Sequence, residues 1–137
     1  MTIIGTNFIE INVKKNRVAV KNIKINNNLG IKSIEKLNLS LGKAKQSGVR
    51  FEFEYTTKYE PNAATMTFLG EVLYLAEQKV VDEVLKKWED KKPINEDIMT
   101  QVMNSALNKC TVKALILAQE LNLPAPIRLP KVTKKQK

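Results

Sequence analysis

Residues 49–59 alternate more cleanly than any other part of the chain. In Val49-Arg50-Phe51-Glu52-Phe53-Glu54-Tyr55-Thr56-Thr57-Lys58-Tyr59 the odd positions are apolar or aromatic, Thr57 excepted, and the even positions are polar or charged. Successive side chains on a strand point to opposite faces, so this run predicts a strand with one dry and one wet face. Gln46-Ser47-Gly48 before it and Glu60-Pro61-Asn62 after it are turn material. Beyond the second turn, Ala64, Met66, Phe68, Val72 and Tyr74 share one face of a further strand, with Gly70 among them. Together they predict an antiparallel hairpin of residues 49–59 with 63–76.

Upstream, Leu37, Leu39 and Leu41 alternate with Lys36, Asn38 and Ser40, predicting a strand that ends near Gly42. Ile9, Ile11 and Val13 alternate earlier still, followed by Val18 and Val20 and then by Ile23 and Ile25. The parity changes between Val20 and Ile23. A bulge or bend near Lys21-Asn22 in one long strand fits this, and so does a hairpin turn at Lys14-Lys15-Asn16 separating two strands. The segment Asn26-Asn27-Asn28-Leu29-Gly30 reads as a connection.

After Ala76 the period changes from two to 3.6. Val80, Val81, Val84, Leu85 and Trp88 form a narrow apolar stripe, and Asp82/Lys86 and Glu83/Lys87 stand at i,i+4 with the acid first. This helix should end before Pro93. A second one starts with Asn95 as N-cap, Glu96 and Asp97 at the positive helix end, and Ile94 placed to staple onto Met99. Its predicted core face is Met99, Val102, Met103, Ala106, Leu107, Cys110, Ala114, Leu117, Ala118 and Leu121, with Val112, Leu115 and Ile116 off that face. A helix apolar on two sides needs cover on both, from an oligomer interface, a ligand groove or the chain's own C-terminal segment. Three prolines bar the helix from residues 122–130, whose alternating Leu and Ile suit an extended strap across apolar surface.

The expected fold is therefore α+β: an antiparallel β-sheet of about four strands followed by two C-terminal helices. A chain of 137 residues suits one core. The reading is a single domain over residues 1–130, with strands to about 76, helices over about 77–91 and 95–121, and a Pro-rich strap at 122–130; residues 131–137 read as a basic disordered tail.

Charge adds a competing idea. The net charge of +9 divides into +6 over residues 1–60, −2 over 61–127 and +5 over 128–137. A basic sheet face could meet nucleic acid, and this is the alternative function. No apolar stretch reaches the roughly 20 residues of a membrane span, and the first residues lack the pattern of a signal peptide, so a cytoplasmic location is expected. The single cysteine, Cys110, falls on an apolar helical face and reads as a buried structural thiol.

Catalytic chemistry is poorly provided for. There is no histidine and only one cysteine, which leaves no His general base and no Cys/His metal spacing. No Gly-rich phosphate loop occurs. Glu52 and Glu54 share a strand face but alternate with basic residues, as a solvated face does. Seven aromatics lie in the β half, and strand parity assigns most of them to the core rather than to base stacking. No enzyme activity and no cofactor is expected.

The order of elements, with Phe51-Glu52-Phe53-Glu54-Tyr55, Phe68-Leu69-Gly70-Glu71-Val72, the stretch from Asn104 to Cys110 and the ending Leu123-Pro124-Ala125-Pro126-Ile127-Arg128-Leu129-Pro130, resembles the SecB-type protein-export chaperones, most closely the archaeal SecB-like proteins. The resemblance covers about residues 18–130. It implies an ATP-independent holdase that binds extended apolar segments of unfolded proteins or preproteins, assembled as a homo-oligomer, a dimer of dimers. Clients in that family lie in hydrophobic grooves between the connection after the first strand and the second helix. Carried over by position, the implied contacts are Leu29 and Ile31 in the connection, Val112, Leu115 and Ile116 on the helix, and Leu123, Ile127 and Leu129 in the strap. A dedicated adaptor, such as an antitoxin-specific chaperone, would use the same fold. Bacterial members of the family are acidic where this chain is basic, a departure that bears on delivery to the translocation motor.

Overall fold

The alternating segments pair as one four-stranded antiparallel sheet in the computed structural model, which describes residues 2–16, 22–37, 46–130 and 132. Strands β1 (Thr2–Lys15), β2 (Lys24–Leu37), β3 (Gln46–Glu60) and β4 (Ala64–Glu77) precede helices α1 (Gln78–Glu89) and α2 (Glu96–Glu120). The spatial order is β1-β4-β3-β2, so the predicted β3–β4 hairpin is the centre of the sheet and the first two strands are its edges.

Parity places the core. Phe51, Phe53, Tyr55 and Tyr59 of β3 and Met66, Phe68, Val72 and Tyr74 of β4 are all buried on the helix-covered face. Tyr55 stacks on Phe68 at 5.5 Å between centroids, and Phe8 of β1 meets the same ring edge-on at 5.6 Å. Gly70 lies between Phe8 and Phe53 in register, and its missing side chain makes room for the Phe53 ring.

Three readings of the opening region change. The Asn-rich connection at 26–30 is the interior of β2, paired from Asn26 with Lys58 to Gly30 with Glu54. Asparagine disfavours strands in isolation, but here cross-strand packing decides. One long strand with a bend is also excluded: β1 and β2 are separate and lie at opposite edges, so they are not a hairpin either. Leu37 is the last residue of β2, and the predicted continuation through Leu39 and Leu41, like Val18 and Val20, lies outside the described residues. Register slips do occur, at Ile4 and Ile9 of β1 and at Lys32 of β2. Those in β1 leave Ile4 and Ile9 exposed on an edge strand.

The helices follow their local signals. Lys87 pairs with Glu83 at 3.0 Å, and α1 stops at Glu89, ahead of Pro93. Asn95 Oδ1 accepts from the amides of Asp97 and Ile98 at 2.9 and 3.2 Å, capping α2 as predicted. The buried stripe of α2 is Ile98, Val102, Ala106, Cys110, Ala114 and Ala118, one residue every four. Leu107, expected in the core, is exposed. A four-residue repeat drifts about 40° per step around a helix, so the buried stripe winds around α2 and the face that packs is narrower than the apolar face.

Candidate functional site

Asn27 of β2 and Thr57 of β3 are direct cross-strand partners on the helix-covered face. Thr57 is fully buried and its hydroxyl donates to Asn27 Oδ1 at 2.7 Å; Tyr55 Oη donates to the same oxygen at 3.3 Å. With its oxygen held in this way, the Asn27 amide is oriented, and Nδ2 donates to the carbonyl of Pro126 at 2.8 Å. Nearby, the buried Tyr59 donates its hydroxyl to the carbonyl of Pro124 at 2.7 Å. Burial, followed by the charge of Tyr55, pushes the Tyr59 phenol up to about 12, so it is a donor at neutral pH.

These two donors fasten the C-terminal strap. Leu123 packs on the core and Pro126 is buried, whereas Ile127 and Leu129 remain exposed. Prolines 124, 126 and 130 have no N–H, so the strap is held through its carbonyls and has not joined the sheet as a strand. A cleft of about 960 Å³ opens between Ile23 and Ile25 on one side and residues 124–129 on the other.

The residues expected to contact a ligand fall into two groups. Leu29 and Ile31, two and four residues after Asn27, are half-buried on edge strand β2 opposite Tyr55 and Phe53. The strap meets β2 nearer the start of the strand, at Ile23, Ile25 and Asn27. Val112 and Ile116 alternate with the buried Cys110, Ala114 and Ala118, so they point away from the sheet, 58% and 45% exposed, with Leu115 half-buried beside them. Two apolar surfaces are thus present, one at β2 and the strap and one along the back of α2.

Asn27 and Tyr59 were not singled out from sequence as site residues, yet a signal exists. Between Val49 and Tyr59, Thr57 is the one polar residue at core parity, and Asn27 stands at the parity of Ile25 and Leu29. Two polar misfits at core parity that pair across neighbouring strands announce a polar connection at the margin of the core.

Toward β1, α2 is fixed by a 2.7 Å hydrogen bond between Ser105 and Thr6 hydroxyls and by Lys109 over the Phe8 ring. Cys110, the next residue after Lys109, is buried, and burial pushes its thiol up to about 12 despite Lys109, which makes it inert at neutral pH.

The opposite, wet face of the sheet is mostly acidic at its centre. Arg50 lies within 3.3 Å of Glu52 and Glu71 and 3.6 Å of Glu35, while Lys32 is paired with Glu54 at 3.0 Å. Four carboxylates thus face two cations, each already engaged, which is not a surface for phosphate.

This is the SecB-like α+β fold, a four-stranded antiparallel sheet followed by two helices. Among solved structures, the chain is similar to the Mycobacterium tuberculosis SecB-like chaperone Rv1957, seen in complex with a ChAD peptide from the Rv1956 HigA1 antitoxin. The TM-score is 0.54, with 11% sequence identity over 98% of this chain and 92% of that one. No family model and no curated protein matches the sequence. Among the described residues, no helix is long and apolar enough to cross a membrane.

Proposed function

We propose that this protein is an ATP-independent chaperone, a holdase that binds extended apolar segments of non-native polypeptides and keeps them from aggregating. The observation that carries this reading is apolar surface left open on a SecB-like fold: Val112 and Ile116 on α2, and Ile127 and Leu129 on the strap. An exposed aliphatic ridge on a helix that already buries another face fits an apolar partner. Leu29, Ile31, Leu115 and Leu123 complete the proposed client surface. The working assembly in this reading is a dimer of dimers in the cytoplasm, using no cofactor and catalysing no reaction.

The acidic centre of the wet sheet face weighs against the nucleic-acid alternative. Because the structural relative Rv1957 is seen with an antitoxin peptide, a dedicated client is the natural variant of the proposal, and co-purified partners would identify it. The deciding test is light scattering of an aggregating test protein. Suppression at one chaperone tetramer per client is the expected result, and no suppression at that ratio sinks the reading.

A further inference from the structure

The strap has the chemistry of a client. Residues 123–130 form an irregular, apolar, proline-punctuated segment with a bend at Pro126-Ile127, the kind of chain a holdase would meet in an unfolded protein. The protein grips it without reading its sequence, because the Asn27 amide and the Tyr59 hydroxyl bond to main-chain carbonyls that any polypeptide offers. Both donors are held ready by β2 and β3: Thr57 and Tyr55 fix the Asn27 oxygen, and burial fixes the Tyr59 ring.

The grip is also shallow. Three prolines deny the strap N–H groups, so it contributes carbonyls and cannot add donors of its own at those positions. Pro126 is buried, but Ile127 and Leu129 stand in solvent, and the cleft beside them is about 960 Å³. A segment that filled the cleft would bury apolar area that the strap leaves in solvent.

We propose that the strap is a resident pseudo-ligand: the sheet face around Asn27 and Tyr59 is a binding site for extended apolar peptide, and residues 123–130 occupy it until a client segment displaces them. This rests on the holdase reading and changes the role of Leu123, Ile127 and Leu129 within it, from walls of the client groove to competitors for it. The two roles predict opposite effects. If the strap is a wall, loosening it weakens client binding; if it is a competitor, loosening it strengthens client binding, because apparent affinity scales with the fraction of chains whose site is open.

The experiment measures binding of a fluorescently labelled, permanently unfolded protein (reduced and carboxymethylated α-lactalbumin) to three full-length forms. Pro126→Gly removes the buried ring and keeps the carbonyl that Asn27 holds, and it should tighten binding about tenfold, the share of open chains rising as the ring's burial is lost. The second form is the Ile25→Cys/Pro126→Cys pair, which joins two positions lining the same cleft and keeps the Asn27 donor, oxidised to clamp the strap and then reduced to free it. Cys110 is buried and does not interfere. The oxidised pair should bind at least about tenfold more weakly than the same protein reduced. Unchanged or weaker binding by Pro126→Gly, or equal binding by the oxidised and reduced pair, overturns the proposal while wild-type binding leaves the holdase reading standing. No binding by wild type overturns both.

Discussion

Gly70 offers the sharpest test of the packing. A Cβ built there would sit 2.4 Å from Phe53 Cζ and 2.6 Å from the backbone oxygen of Asn7. Both are closer than carbon tolerates, and neither obstacle can retreat freely: Phe53 is fully buried in β3, and Asn7 belongs to the paired strand β1. Overpacking a close-packed core costs about 1–3 kcal/mol, and two rigid obstacles put Gly70→Ala at the upper end, about 3 kcal/mol. Alanine restores up to about 1 kcal/mol by restricting the unfolded chain. The net expectation is a loss of about 2 kcal/mol. With an unfolding entropy of roughly 0.3 kcal/mol/K for a chain this long, the melting temperature should fall by about 7 °C. Thermal melts followed by circular dichroism at one fixed protein concentration measure it, since assembly makes melting concentration-dependent. Adding Phe53→Leu should relieve the ring clash and not the contact with Asn7, so the double variant should lose less than the two single losses combined. A Gly70→Ala protein that melts within about 1 °C of wild type would refute the argument, because it would show that β1 and β3 yield at no cost.

Three other outcomes are expected. Val112→Asp with Ile116→Asp should abolish suppression of aggregation while leaving the melting temperature within about 2 °C, because exposed positions contribute little to stability; retained suppression would remove the α2 ridge from the client surface. Thr57→Val takes the 2.7 Å donor from Asn27 Oδ1 and should cost about 1–2 kcal/mol in urea unfolding, with proteolysis between Leu121 and Pro130 speeding up as the strap loses its anchor. Finally, the thiol of Cys110 is raised from its ordinary 9.0 to about 12 by burial. A raised pKa means the folded state binds the proton more tightly, so this contribution is complete below pH 9 and is lost as pH climbs toward 12. Urea midpoints measured across that window should fall for wild type and fall less for Cys110→Ala.

Legibility in the sequence tracks how local each signal is. The β3–β4 hairpin and both helices announce themselves because alternation, the Asn95 cap and the Glu83/Lys87 pair are written within a few residues. β2 was misread because its three asparagines resemble a turn, and only the register against β3 shows that Asn27 meets Thr57. The exposure of Leu107 is not legible in the helix's own periodicity, because which part of a broad apolar face packs is decided by the sheet beneath it. Of the site, the apolar positions were legible by pattern. The carbonyl clamp was not, because it joins residues 27, 59, 124 and 126 across most of the chain's length.

The order β1-β4-β3-β2 has a consequence for synthesis. Thr2 pairs with Leu75 and Lys15 with Ala64, so among the described residues β1 finds its strand partner at β4, after nearly the whole sheet has been made. At translation rates of about 5–20 residues per second, β1 waits on the order of several seconds after its own synthesis before β4 exists. Through that interval the apolar residues Ile3, Ile4, Ile9, Ile11 and Val13 await the strand that β1 pairs with in the finished sheet. Each nascent copy therefore carries the kind of segment that finished copies are proposed to hold.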